Sequence, residues 1–414
     1  MSFITNIRSV AKYESKILVR SWFFRIFTLL AVVFLGFFNF AMMLMEDNFG
    51  LWFAKSVSSN IPYLNLLLLN TGQAVVAVFL SSEFLKRDKK LDTSEVFYVR
   101  PLSNAEYVVG KIWGNLRVFL FLNLVLAIVL AFNFMASGVT VDLPAYLVYF
   151  FLISIPTLIF IIGLSIFLML LLKNQALTFI LLLGYIGLTL FYIQDKFYYL
   201  FDYMVYNLPL FKSTIVGFSN LELILNHRAI YFFAGLGFIF FTIFLFKRLP
   251  NARRSHYPWL FLSFCMFLLM VTAGFRHVRS ILREGEMRAL YTSINNKYVY
   301  EPKMAIDYYD ISVEQKSETI RSVVGMEGTA LAASEVFIFC LNPGLRVEEV
   351  KDGEKSLNFK REEQILAVDF GREIEKGDTI SFSVSYEGRI KDDFCYLDIP
   401  EEVLQQPYDK EMLK

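Results

Sequence analysis

Seven apolar runs occupy most of the first 275 residues of this chain, and each is long enough to cross a bilayer as a helix. A spanning helix needs roughly 20 apolar residues, and inside the hydrocarbon every backbone polar group must be satisfied by the chain itself. These runs therefore restrict the region to a bundle of membrane-spanning helices. The predicted spans are residues 22–45, 61–82, 113–135, 146–172, 176–193, 229–247 and 258–275.

Composition and charge agree with a membrane protein. Hydrophobic residues fill 56% of the 414 positions and charged residues only 19%, whereas globular chains carry roughly 25% charged residues. The formal net charge of +1 leaves no basic surplus to neutralise phosphates, which argues against a nucleic-acid-binding protein. The first apolar run lacks an A-x-A-like end, so we expect it to remain as an anchor and not to be cleaved.

Lysine and arginine collect in alternate loops, and this pattern orients the predicted bundle. Basic clusters precede the first span and follow the second and sixth, whereas residues 46–60 contain Lys55 alone and residues 136–145 contain none. The longer loop 194–228 is mixed. Because cytoplasmic loops carry the basic excess, we predict a cytoplasmic N-terminus, an extracytoplasmic C-terminal region and a location in the inner (plasma) membrane.

The first 21 residues predict an amphipathic helix that is too polar to span. Such a helix can lie in the membrane interface, with its apolar side in the acyl boundary and its basic side among headgroups. The other interpretation is an exposed helix with no membrane role. The apolar positions are Phe3, Ile7, Val10, Ala11, Ile17 and Leu18, and the basic ones are Arg8, Lys12, Lys16 and Arg20.

Ionisable side chains are nearly absent from the predicted spans. Arg117 lies one turn inside the third span, and we expect it to extend to the cytoplasmic surface. An ion-coupled carrier normally needs buried carboxylates, so this class is disfavoured. Neutral amides are expected instead to join helices to one another; they are Asn65, Asn70, Gln73 and Asn123.

The densest short charge cluster lies between the second and third spans, in EFLKRDKKLDTSEVFYVRPLSNAEYVVGK at residues 83–111. Residues 86–97 predict a short helix, which Pro101 ends because proline lacks an N–H and disfavours helix before it. Ser103 and Glu106 form a capping box, in which each side chain bonds the other residue's N–H. The next helix therefore starts at a defined position. Such a stiff elbow suits force transmission; the other interpretation is an ordinary positively charged loop.

This stretch resembles the loop between the second and third spans of ABC-2 type export permeases. Those loops combine basic residues, a leucine-rich short helix, a P-x-S-x-x-E-type step and a G-K pair. The N-terminal helix with Glu14 and the six following spans also fit the family, so the resemblance covers residues 1–250. The matching residues here are Arg87, Leu91, Pro101, Ser103, Glu106, Gly110 and Lys111.

The resemblance implies a transport subunit that pairs with a second permease chain, as a homo- or heterodimer, and couples to a cytoplasmic ABC ATPase through residues 86–97. The chain contains no G-x-x-x-x-G-K-[ST] run for holding phosphates. We therefore expect ATP and Mg on the partner ATPase, and no cofactor, metal or catalytic residue in this chain. The implied ATPase-coupling residues are Glu83, Arg87, Leu91, Pro101, Ser103, Glu106 and Lys111.

From residue 277 onward the sequence changes to that of a soluble region. The run RHVRSILREGEMRALYTSINNKY predicts a helix leaving the membrane, with Gly285 as the point where it breaks. From residue 304, alternating runs bounded by NPG, DG and KGD turns predict an antiparallel β-sandwich. The stretches FCLNPGLRVEEV, KGDTISFSVSYEG and FCYLDIP resemble the N-terminal β-domain of M1 family aminopeptidases.

The zinc-binding motif of such peptidases, H-E-x-x-H, is absent, since the three histidines of the chain are widely separated. We therefore expect no peptidase activity, and we interpret GMEG at residues 325–328 as a turn. Cys340 and Cys395 are a possible disulfide outside the cytoplasm, with two free thiols as the equal alternative.

The predicted fold is an α-helical polytopic membrane protein of about seven spans with a mostly-β extracytoplasmic domain. The leading function is an ABC exporter permease, contacting membrane lipid and moving substrate by alternating access driven by a separate ATPase. The alternative is an anchor or assembly protein that presents the β-domain to a peptidase or other partner. The predicted segments are the interfacial helix 1–21, the six-helix permease domain 22–250, the seventh span 251–276 and the β-domain 277–414.

Overall fold

The computed structural model describes residues 3–44, 58–82, 102–136, 140–193, 196–206, 220–246, 257–316 and 318–391, with the single positions 138, 208, 210, 212, 217, 218, 394 and 397. Glu83, Arg87, Leu91, Pro101 and Cys395 lie outside these residues. Contacts divide the chain into two units. The first consists mainly of Met1–Lys212 and Asn220–Val278, and the second mainly of Arg279–Gln406.

Within the described residues, eight long helices are present, and seven of them are long and apolar enough to cross a membrane. This agrees with the seven apolar runs of the sequence. The first helix, α1, is the polar amphipathic one. The helices are α1 Phe3–Arg20, α2 Trp22–Leu44, α3 Asn60–Ser82, α4 Asn104–Ala136, α5 Leu143–Leu172, α6 Gln175–Ile193, α7 Leu221–Leu245 and α8 Tyr257–Lys297.

Three helices extend beyond the apolar runs that predict them. Helix α4 begins at Asn104 and α7 at Leu221, because their first turns are helical but polar. Helix α8 runs without interruption to Lys297, so the predicted break at Gly285 is wrong. A single glycine costs a helix only about 1 kcal/mol relative to alanine, which its neighbours in a continuous helix can offset.

Two spans contain a turn of wider helix. In α5 the residues Phe150–Ser154 form a π-helical turn, and α6 ends in another at Thr189–Ile193. Such turns shift the backbone hydrogen bonds out of the regular α-helical ladder and are frequent at functional sites. The turn in α5 is therefore a place where backbone carbonyls can accept from neighbouring side chains.

Buried amide side chains join α2, α3, α4 and α5, as the sequence predicts. Each such bond satisfies a polar group that would otherwise be desolvated without a partner. The interhelical bonds run from Asn39 Nδ2 to Asn65 Oδ1 at 2.6 Å, from Asn123 Nδ2 to Gln73 Oε1 at 2.7 Å, from Asn70 Nδ2 to Ser154 Oγ at 3.1 Å and from Ser154 Oγ to Asn123 Oδ1 at 2.9 Å.

The second unit contains two antiparallel sheets, in the strand orders β1-β2-β8-β4-β5 and β3-β7-β6. Side chains of both sheets share one buried core; for example, Phe370 of one sheet meets Phe382 of the other edge-to-face at 5.5 Å. The predicted sandwich is therefore present. Its strands are β1 Met304–Lys316, β2 Thr319–Ala330, β3 Ser334–Cys340, β4 Leu345–Asp352, β5 Lys355–Ser356, β6 Asn358–Glu362, β7 Ile365–Ile374 and β8 Thr379–Gly388.

The GMEG sequence at residues 325–328 lies inside β2, so its interpretation as a turn is wrong. Gly325 pairs with Asp310 of β1 on one side and with Ser383 of β8 on the other. A Cβ at Gly328 would lie 2.8 Å from Ile306 Cδ1. The close approach of β1 at its bulge thus explains a glycine within a strand.

Candidate functional site at the start of helix α4

The capping box predicted at the start of α4 is confirmed. Glu106 N donates to Ser103 Oγ at 3.1 Å, and Ser103 N donates to Glu106 Oε2 at 2.6 Å. The second carboxylate oxygen, Glu106 Oε1, accepts from Asn6 Nδ2 of α1 at 2.8 Å. One carboxylate therefore fixes the first turn of α4 and attaches it to α1.

Two glycines allow α1 to approach the backbone of α4. Gly110 and Gly114 lie four residues apart and so share one face of the helix. A Cβ at Gly110 would lie 2.7 Å from Val10 Cβ, and one at Gly114 would lie 2.7 Å from Glu14 Cβ. Ser15 Oγ donates to Gly114 O at 2.6 Å. Small residues at this spacing permit close helix packing, and no residue with a Cβ fits here without displacing α1.

Charged side chains reinforce the same contact. Lys111 Nζ lies 3.5 Å from Glu14 Oε1, and both side chains are almost fully buried. The Lys111 ammonium also lies 5.1 Å from the centre of the Tyr107 ring, a favourable cation–π arrangement. A buried ion pair is costly to break, because removing one partner leaves an uncompensated buried charge. The pair therefore specifies one register between the two helices.

The half-buried Arg117 also belongs to this contact. Its Nε donates to Ser15 Oγ at 2.6 Å, and its Nη2 donates to Ala11 O at 2.8 Å. Because α1 supplies two acceptors within reach, the guanidinium is satisfied inside the protein. We call this set the α1 clamp: Asn6, Ala11, Glu14 and Ser15 on α1, with Glu106, Lys111, Gly114 and Arg117 on α4.

The start of α4 is attached on another side to the end of α7. Asn104 Nδ2 donates to Phe246 O at 2.7 Å. The Tyr107 and Phe246 rings are stacked, with centroids 5.5 Å apart and planes 8° apart. The residues that directly follow loop 83–101 are thus bonded to two further helices.

The structure brings together three of the predicted coupling residues, Ser103, Glu106 and Lys111. The other four fall outside the described residues, so their placement stays a prediction. Cys340 lies exposed at the end of β3, and its predicted partner Cys395 is also outside the described part of the chain. No group of three or more His, Cys, Asp or Glu side chains comes together among the described residues.

Sequence reasoning missed a second polar centre, around Arg228. Because α7 begins at Leu221, both His227 and Arg228 lie within a helix that is long and apolar enough to cross a membrane, and not in the loop that the sequence predicts. Arg228 is 2% exposed and donates to the carbonyls of Leu152 and Tyr203, each at 2.7 Å. The signal that could have found it is the run LELILNHR, whose apolar residues continue the helical spacing of the span backwards.

Comparison with known proteins identifies no family for this chain. No protein-family model and no curated protein matches the chain. It is similar to a solved two-domain M1 zinc metallopeptidase bound to L-tryptophan and to one from Deinococcus radiodurans bound to a Tyr-Ser-Ala substrate. In both cases identity is 17%, the TM-score is 0.20 and 21% of each chain is covered. The chain thus spans about a fifth of these structures, and so low a score supports no functional argument.

Proposed function

We propose that this chain is the membrane-spanning permease subunit of an ABC exporter, in which a separate ATPase drives alternating access. The observation that supports the proposal is the α1 clamp, which directly follows the basic loop 83–101. A loop that only satisfied the positive-inside rule would need no such attachment at its end. A loop that transmits force requires the first turn of α4 to keep a fixed position against its neighbouring helices.

The bonds of the clamp suit this task. The Glu106 carboxylate joins Ser103 N to Asn6, so a displacement arriving at residue 103 moves α4 and α1 together. The backbone contact at Gly114 and the buried Lys111–Glu14 pair oppose sliding of one helix along the other. Side chains packed at crystal-like density transmit displacement because they have little free volume to absorb it.

On this proposal residues 86–97 sit on the ATPase, with Glu83, Arg87 and Leu91 at or near the contact. ATP and Mg belong to the ATPase, and a second permease chain completes the path. The N-terminus is cytoplasmic, and the β-domain is extracytoplasmic. Closure of the ATPase pair moves residues 86–97, the α1 clamp passes the movement to α4, and the spans rearrange to open outward.

Co-purification after mild detergent extraction tests the proposal. An ATPase subunit without spans should accompany the parent chain and be lost in Arg87→Glu and in Leu91→Pro. The matched control is Lys55→Glu, which reverses a charge in the loop predicted to lie on the opposite side of the membrane. A parent chain that carries no ATPase, or an Arg87→Glu chain that retains it, refutes the exporter assignment.

One observation favours the alternative of an anchor for the β-domain. The last turns of α8 are bonded to the sandwich: Gln364 Nε2 donates to Tyr291 O at 2.7 Å and to Asn295 Oδ1 at 2.9 Å. Within the second unit, a sandwich bonded to the helical residues that precede it suits presentation to a peptidase or other partner. Under this alternative, Arg87→Glu and Leu91→Pro change no association, so the same experiment separates the two functions.

A further inference from the structure

Residues 196–206, between α6 and α7, form an irregular segment with an unusual backbone. Phe197, Tyr198 and Tyr199 have φ angles of 53°, 59° and 61°, and Val205 has 64°. Residues with a side chain rarely adopt this left-handed region, and bulky or β-branched ones least of all. The conformation of this segment is therefore imposed by its surroundings and not by its own backbone preferences.

The surroundings that impose it are side-chain donors on three long helices, α3, α7 and α8. Five backbone carbonyls of the segment accept hydrogen bonds from them, where a helix or sheet would supply backbone N–H groups. The bonds run from His277 Nε2 to Tyr198 O at 2.9 Å, from His227 Nε2 to Tyr199 O at 2.9 Å, from Tyr231 OH to Leu200 O, from Arg228 Nη1 to Tyr203 O at 2.7 Å and from Tyr63 OH to Val205 O at 3.2 Å.

Arg228 lies at the centre of these bonds. Besides Tyr203 O, its guanidinium donates to Leu152 O at 2.7 Å, within the π-helical turn of α5, and to Thr157 Oγ1 at 2.8 Å. Asp202, also buried, supplies a carboxylate in the same segment. Ionisable groups are costly within a span and are a sign of function there. The planar guanidinium of Arg228 thus holds α5, α7 and residues 196–206 together.

We propose that residues 196–206 are a gate with two positions, and that Arg228, His227, His277 and Tyr231 form the latch that holds it closed. Non-helical backbone at membrane depth is tolerated only where it is buried in protein or lines a water-filled cavity. In the closed position the segment is buried in protein. On opening, its carbonyls exchange the side-chain donors for water, and the segment then lines a water-filled cavity. A regular helix makes no such exchange, because its carbonyls are bonded within the helix.

Helix α7 connects this gate to the α1 clamp. Tyr231 bonds the segment near one end of α7, and Phe246 stacks on Tyr107 at the other end. The two positions are 15 residues apart in the sequence, or about 22 Å along a helix axis. The role of the gate rests on the proposed exporter function. In an exporter, opening of residues 196–206 would release substrate on the predicted extracytoplasmic side.

Cysteine accessibility tests the latch without any ATPase. In a full-length chain with its three cysteines changed to serine, Met204→Cys places one buried thiol in the segment. Labelling by a membrane-impermeant maleimide should be slow in this parent. Tyr231→Phe keeps the ring and removes one bond of the latch, so labelling should become about tenfold faster. Arg228→Lys removes several donors and should accelerate it further.

Matched controls are Tyr257→Phe and Arg276→Lys, which alter exposed side chains of the same types. Unchanged labelling in the controls, with faster labelling in Tyr231→Phe, supports the latch. Labelling of Tyr231→Phe at the parent rate, in monodisperse protein, overturns it even if Arg228→Lys fails to fold. Co-purification of the ATPase tests the exporter assignment, and the labelling rate of Met204→Cys tests the gate. Failure of one proposal is therefore distinguishable from failure of the other.

Discussion

Replacing Gly114 by alanine should release α1 from α4. The new Cβ would lie 2.7 Å from Glu14 Cβ and 2.9 Å from Ala11 O, and the second of these atoms is backbone. Neither atom can move alone, because a Cβ is fixed by its own backbone and a backbone carbonyl moves only with its helix. Relief of the contact therefore requires α1 to shift by several tenths of an ångström.

The cost follows from the contacts that this shift disturbs. Overpacking of this kind, with the strain that it places on the neighbouring hydrogen bonds, costs about 2 kcal/mol. The better helix propensity of alanine does not offset this cost, because α4 is helical whether α1 is docked or released. The net loss of about 2 kcal/mol lowers the ratio of docked to released α1 about 30-fold.

Amide hydrogen exchange measures this loss, because it reports local opening equilibria. The amides of α1 should exchange about 30 times faster in Gly114→Ala than in the parent. Gly184→Ala is the matched control, since a Cβ at Gly184 meets nothing within 4 Å. Equal or slower exchange of α1 in Gly114→Ala would refute the reasoning from close approach.

Three further substitutions test other parts of the structure. Ser103→Ala removes the cap of α4, which should cost about 1 kcal/mol and speed exchange of its first-turn amides. Asn123→Leu leaves its buried amide and hydroxyl partners unsatisfied at a cost of about 1–3 kcal/mol, and a lower thermal midpoint in detergent should show this. Bonds from Lys297 Nζ and Tyr298 OH lower the pKa of Glu362 below its ordinary value of 4.5. The stabilisation that the ionised Glu362 carboxylate contributes is therefore complete above pH 4.5 and is lost as the pH falls through its lowered pKa. In the parent, amide hydrogen exchange in β7, which pairs with Glu362, should therefore become faster as the pH falls through that pKa, after correction for the intrinsic exchange rate. Glu362→Gln should not show this rise.

The patterns that sequence reasoning used successfully are all local. Apolar runs located the seven helices that are long and apolar enough to cross a membrane, because such helices need a continuous apolar stretch of about 20 residues. The Ser103–Glu106 capping box was legible because its two members are three residues apart. Alternation along the β-domain predicted its strands because successive side chains point to opposite faces.

The polar contacts that sequence reasoning did not find join residues far apart in the chain. Arg117 donates to Ser15, which is 102 positions away. Arg228 was assigned to a loop because the polar residues around it masked the first turns of α7. Its partners in α5 lie more than 70 positions earlier. A hydropathy window of about 20 residues cannot register such a partner.

The amino-acid sequence alone therefore determined the seven long apolar helices and the start of α4, since each depends on neighbours within a few turns. Only the tertiary structure decided that α1 docks on Gly110 and Gly114, that Arg228 binds residues 196–206, and that GMEG lies in a strand. The physical reason is common to all three. A glycine, an arginine or a carbonyl has its role set by the group placed against it, and folding brings that group from a distant part of the chain.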